Sequence, residues 1–146
     1  MSKDISQIVP DAAAFDAALV SGLQRAVGHT VIVTTQKARS EHRWQDRTGN
    51  TRANIDGAVD NVSDGAHGVV GADDIAQLLN DGTRPHEIRG KRGGYLKFEV
   101  GGATIFRRSV HHPGTSPDPF LDAAADAAEE ELDRGVDAAI DAALGD

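Results

Sequence analysis

The chain contains no cysteine among its 146 residues. That excludes disulfide staples, thiol nucleophiles and Cys-based zinc sites. Aromatics are scarce: four Phe, one Trp and one Tyr. A core must therefore be filled by Val, Ile, Leu and Ala. No apolar run approaches the ~18 residues of a membrane span, and Met1-Ser2-Lys3-Asp4 lacks the apolar centre of a signal segment. The expected place is the cytoplasm of the cell that makes it, with no membrane partner. Catalytic patterns are missing too. No Ser sits in a Gly-x-Ser-x-Gly elbow. Gly90-Lys91-Arg92-Gly93-Gly94 precedes a β-rich run, whereas a phosphate-binding loop follows a strand and opens a helix. Carboxylates cluster only on one solvated helical face near the end. No base, orienter and oxyanion donors assemble, so neither enzyme nor cofactor is expected. His67, His86, His111 and His112 lack metal-ligand spacing, and adjacent histidines on an extended chain point opposite ways. No metal is expected.

What is present is charge, unevenly placed. The formal net charge is −8, which argues against a protein that coats nucleic acid indiscriminately. From Lys37 to Arg52 there are five basic and two acidic side chains, and from Arg84 to Arg108 seven and two. From Asp118 to Asp146 there are ten acidic and one basic. Such segregation suits contacts between copies, or else ordinary solvated faces.

The length suits one domain, residues 1–146. Residues 1–9 read as a flexible lead-in. Asp11 can cap a helix over 12–27, with Phe15, Leu19, Leu23 and Val27 as its apolar stripe and Gly28 as its stop. Val31 to Thr35 is a β-branched run and reads as a strand. Residues 36–50 read as a projecting loop with Trp44 as its anchor, a binding platform being the other option. A short helix follows from Thr51 to Ile55, ended by Gly57. Ala58 to Val62 and Ala66 to Val70 flank a Ser63-Asp64-Gly65 turn, a hairpin. Asp73 caps a helix over 74–79, and Gly82 turns its end. Tyr95 to Val100 and Ala103 to Arg108 form a second hairpin about Gly101-Gly102, with Leu96, Phe98, Val100 and Ile105 on one face. The last helix spans 119–144, with Leu121, Ala125, Ala128, Leu132, Val136, Ile140 and Leu144 along its inward face. The fold class is α+β: a small antiparallel or mixed sheet of four to five strands, packed by two longer helices plus short ones.

Gly82-Thr83, Pro85-His86, a hairpin, His112-Pro113-Gly114-Thr115 and Pro119-Phe120-Leu121 occur in that order. With Trp44, Arg47-Thr48-Gly49-Asn50 upstream, this order resembles the tail-completion or neck (head-tail joining) protein family of long-tailed bacteriophages and related tailed viruses. The resemblance covers residues 40–144. It departs at Leu78-Leu79-Asn80-Asp81, where the family carries an aromatic and a Glu. The resemblance implies a structural virion protein that forms a ring around the DNA path, in the neck or tail of the particle. Its partners would be copies of itself, sixfold or alternatively twelvefold, the connector or adaptor, the tail tube or tail terminator, and the viral DNA in the channel. The motif residues, with Arg107 and Arg108 of the basic segment, become candidates for structural and interface roles. The alternative from another class is a nucleic-acid-binding accessory protein using the basic 84–108 hairpin region, where Tyr95, Phe98 and Phe106 are interleaved. A hydrolytic or toxin-like enzyme ranks last.

Overall fold

The computed structural model describes residues 12–145; the lead-in and the Asp11 cap lie outside them. The protein is α+β. Its elements are α1 (Ala12–Ser40), α2 (Asn50–Ala53), β1 (Asp56–Val62), β2 (Gly65–Gly71), α3 (Asp74–Asp81), β3 (His86–Arg89), β4 (Leu96–Val100), β5 (Ala103–Arg107), β6 (Ser109–His112) and α4 (Phe120–Leu144).

The run Val31 to Thr35 is not a strand, and Gly28 stops nothing: α1 continues through both. The reason lies in the buried positions. Val31, Thr34, Thr35 and Ala38 follow Gly22, Ala26 and Thr30 along one helical face. A helical glycine costs only about 1 kcal/mol and β-branching a few tenths, so tertiary packing of that face decides.

α1 and α4 run antiparallel and nearly touch backbone to backbone. A Cβ on Gly22 would lie 2.6 Å from Ala139 Cβ, and one on Gly135 would lie 2.7 Å from Ala26 Cβ. Small residues let the helix axes approach closely, and His29 Nδ1 meets Glu131 Oε1 at 2.9 Å beside the seam. This seam displaces the expected inward face of α4. The buried positions are Phe120, Ala124 and Ala139, about one residue round from the expected stripe. Leu132, Ile140 and Leu144 are left exposed.

β1 and β2 form the expected hairpin, in register from Asp56↔Gly71 to Val62↔Gly65. Gly57 does not end a helix but sits in β1. It and Gly68 lie over the Val31 side chain, where a Cβ would come within 2.5 and 2.6 Å of its methyl groups. Asp73 caps α3, its carboxylate accepting from the Ala76 N–H at 2.8 Å. The strands do not join one sheet of four or five. Among the described residues they make three two-stranded ribbons, β1–β2, β3–β6 and β4–β5. Once α1 and α4 bury each other, no continuous sheet is needed between them.

The core is small. Among the described residues Ile55 is the one fully buried large side chain, accompanied by Phe120 and by Ala38, Ala76 and Ala124. The accessible surface is correspondingly large, 10693 Å². A compact monomer of 15.3 kDa exposes about 7,100 Å².

Candidate functional site

The segment 36–50 does not project. Its first residues finish α1. The rest folds back, because two carboxylates recover its backbone donors. Asp118 accepts from the Arg43 N–H at 2.6 Å and from the Arg43 side chain at 3.2 Å. Asp46 accepts from the Gly49 and Arg52 N–H groups at 2.8 and 2.9 Å. Gly49 takes a positive φ of 78° to enter α2. Trp44 is a packing anchor. Its ring stacks on His42 at 3.7 Å and meets the Phe120 ring edge-on at 5.4 Å. Phe120 is 3% exposed and Leu121 half-buried, so the last helix is anchored at its first turn.

The two Gly-Thr pieces form one crossing. Thr83 and Thr115 exchange backbone hydrogen bonds at 2.9 and 3.0 Å, and Thr83 Oγ1 also accepts from the Thr115 N–H. Gly82 and Gly114 hold φ of 73° and 88°. Any Cβ on Gly82 would press on Thr115 O, and any on Gly114 on Thr83 O. Pro85 and Pro113 flank this crossing and are exposed. His112 Nδ1 accepts from the Gly114 N–H at 3.1 Å, and His86 Nδ1–H donates to Arg84 O at 2.8 Å. The two imidazoles face each other across the strands with centroids 5.1 Å apart.

Beside the crossing lies a residue that the motif reading passed over. Asn80 is 4% exposed. Its Oδ1 accepts from the Leu121 N–H at 2.9 Å and its Nδ2 donates to Asp122 at 3.1 Å. Pro119, at the cap position of α4, offers no side-chain cap; Asn80 supplies it from α3. Asp46 and the contact of Asp118 with Arg43 carry no mark in the motifs either. The Asp-x-x-Gly spacing of Asp46 and Gly49 is the one local signal that marks such a turn.

From the crossing a β-arm leaves the body. β3 pairs with β6, from His86↔His112 to Arg89↔Ser109. β4 pairs with β5, from Leu96↔Arg107 to Val100↔Ala103. Gly101 and Gly102 turn the tip with φ of 57° and 82°. Between the two ribbons, residues 90–95 on one side stand against Arg108 alone on the other, with Gly90 N–H donating to Arg108 O at 3.1 Å. Arg92 takes a φ of 54° there. Tyr95 and Phe106 are 61% and 56% exposed, and the Arg108 guanidinium lies 5.4 Å over the Tyr95 ring.

So Trp44, Gly82, Thr83, His86, His112, Gly114, Phe120 and Leu121 gather about one joint. Arg47 and Thr48 sit on the surface of the α2 turn. Arg107 and Arg108 sit out on the arm. Among the described residues no three metal-binding side chains converge, and no helix is long and apolar enough to cross a membrane.

The joint's carboxylates have a pH consequence. The Arg52 N–H holds Asp46 below its ordinary value of 3.8, and the Arg43 N–H does the same for Asp118. Asp73, Asp81 and Glu87 are lowered by hydrogen bonds from Asn54, Gln77 and Arg89. A lowered folded-state pKa contributes stability above the unfolded value and loses it as pH falls through the folded one. The thermal midpoint should therefore hold from neutrality to about pH 5 and drop below about pH 4. Asp46→Asn should flatten that drop; a curve parallel to wild type would remove Asp46 from the account.

No protein-family model, curated protein or solved structure matches the chain.

Proposed function

We propose that this protein is a structural subunit of a tailed-virus neck, a tail-completion or head-tail joining protein that closes as a ring around the DNA path. The observation that carries this reading is the excess of surface over core. A chain with an alanine-lined core and an arm held away from its body is suited to work through contacts with neighbours. The motif order that resembles the neck family adds support, because its separate pieces meet at one joint. The reading places the protein in the virion, with the host cytoplasm as its site of assembly. Its partners are its own copies, sixfold or twelvefold, with the connector or adaptor on one side and the tail tube or terminator on the other. No catalytic step is assigned to it.

The arm also favours a second reading, a nucleic-acid-binding accessory protein, since cations and exposed rings alternate along it. The two part on one experiment. In the neck reading, Arg107→Glu with Arg108→Glu leaves the monomer folded, and filled heads and tails accumulate unjoined. Purified wild-type particles contain the protein in ring-like copy number. Normal yields of joined particles from the double variant would remove the electrostatic account, and absence from particles would remove the neck. Retention on DNA that falls steeply with salt, together with absence from particles, would select the second reading.

A further inference from the structure

The hairpin β1–β2 leaves one edge of β2 unpaired. Its two-residue turn closes on the pair Val62↔Gly65, and opposed residues of an antiparallel pair alternate between bonded and unbonded. The bonded residues of β2 are therefore Gly65, His67, Val69 and Gly71. Ala66, Gly68 and Val70 turn their N–H and C=O groups outward, away from β1. Among the described residues, no backbone group of another element bonds to them. Free strand edges are usually blunted by charge, proline or a bulge. β2 reads Gly-Ala-His-Gly-Val-Val-Gly in unbroken register, with no acidic residue, Lys, Arg or Pro. β1 carries Asp56 and Asp60.

That open edge borders a groove of about 530 Å³ between α1, β2 and α4. Ala66, Gly68 and Val70 all line it, and β1 contributes nothing to it. A second hollow of about 200 Å³ shares Thr34, Val70 and Ala125 and carries the groove on to Ala38. From Val27 to Ala38 the helix rises about 16 Å, the length of a five-residue strand. A strand added to β2 would extend a ribbon that already lies on α1, with Gly57 and Gly68 over Val31. The α1 side of the groove lacks something. The Thr30 and Thr34 hydroxyls line it without a hydrogen-bond partner, although these residues are only 9% and 7% exposed. They stand about 6 Å apart along the helix axis. Side chains on one face of an extended strand repeat at nearly that spacing, about 6.6 Å. The α4 side is acidic. Glu129 lines the groove, and the exposed Asp126 and Asp133 lie one turn to either side of it.

We propose that β2 is a seat for strand addition: an extended segment of a partner protein enters the α1–β2–α4 groove as the third strand of the ribbon. Its backbone pairs with Ala66, Gly68 and Val70. Its inward side chains, at every second position, are Thr or Ser, whose hydroxyls bond to Thr30 and Thr34 and end their isolation. A Thr methyl meets Val31 and Leu132 at the same time. Its outward side chains are basic, beside Glu129. Main-chain bonds give such a contact its affinity, and the alternate side chains give it specificity. The seat is a property of this chain and does not depend on the neck reading, which names no segment that grips it.

Two capped octapeptides serve as probes on the full chain, one alternating Lys and Thr, the other Lys and Val. Amide exchange is read residue by residue. In the free protein the Ala66, Gly68 and Val70 amides should exchange fast, and those of His67 and Val69 slowly. Saturating Lys-Thr peptide should slow the first three by about tenfold or more. Ala66→Pro removes one outward donor at an edge position that tolerates proline, and should weaken binding about tenfold. Glu129→Lys, on the exposed wall, should weaken both peptides by a similar factor. Thr34→Val keeps the shape and removes the hydroxyl. Wild type should prefer the Lys-Thr peptide and this variant the Lys-Val peptide, each about fivefold. Binding that leaves Ala66, Gly68 and Val70 unprotected overturns the seat. Protection at Val59 and Asn61 instead, on the outer edge of β1, overturns it too, as does failure of both peptides to bind. Strand addition by a protein absent from virus particles upholds the seat and removes the neck reading. Particles that contain the protein, with no strand addition at β2, remove the seat alone.

Discussion

Replacing Phe120 with Ala should destabilise the fold by about 3–5 kcal/mol. The ring is 3% exposed and fills a space otherwise walled by Ala38, Ala76, Ala124 and Ile55. Alanines cannot lean in to close the void, so the cavity cost stays near its upper range. Trp44 and His42 would lose their edge-on partner at 5.4 and 6.1 Å. The loop 41–49, held by that contact and by Asp118, should loosen in turn. Chemical denaturation gives the measurement, with Phe106→Ala as the control. Phe106 is 56% exposed on the arm, and its removal should shift stability by no more than about 0.5 kcal/mol. Equal effects from the two would show that Phe120 is not the anchor.

Gly114→Ala should cost about 3 kcal/mol at the crossing and act on the arm more than on the helices. A left-handed φ costs a non-glycine residue about 1–2 kcal/mol. The new methyl also meets Thr83 O, a backbone atom fixed by its own strand. The Thr83–Thr115 bonds must then part, at about 0.5–1.5 kcal/mol each. Far-ultraviolet dichroism should keep its helical signal. Amide exchange along 83–89 and 109–115 should accelerate by roughly a hundredfold, the factor that about 3 kcal/mol implies. Gly101→Ala is the matched control. It has a similar φ but open space about it, so it should lose only the conformational part. Matching exchange rates in both variants would remove the collision from the explanation.

The turns and caps were legible because their chemistry is local. Ser63-Asp64-Gly65, Gly101-Gly102 and Asp73 each announce a structure that their neighbours cannot override. Phe120 and Trp44 were legible as anchors because large rings in a chain poor in rings have few other uses. Val31 to Thr35 was misread for the opposite reason. Its residues are β-formers by a few tenths of a kcal/mol, and the decisive packing comes from β1, β2 and α4, far along the chain. The inward face of α4 was misplaced by one residue because hydrophobicity does not register a glycine–alanine seam. Gly22, Ala26, Gly135 and Ala139 pack by being small, and the larger Leu132, Ile140 and Leu144 are left exposed. Asn80 and Asp118 bind backbone donors far along the chain, which no side-chain pattern displays. The loop 36–50 reads as projecting because it is polar and without periodicity; Asp46 and Asp118 are the partners that fold it back. The element that does reach outward is the arm, whose hairpin was legible but whose separation from the body was not.

The seam between α1 and α4 also sets an order of events. Gly22 and Ala139 stand near opposite ends of the chain, and His29 meets Glu131 across 102 residues. At ordinary ribosomal speeds of about 5–20 residues per second, α1 waits roughly 5–20 s for its partner to emerge. The hairpins and α3 can form in that interval, since their contacts are local and close quickly. The space between α1, β2 and α4 cannot, because α4 is one of its walls. A chain cut before α4 thus shows the arm while α1 stands without its partner.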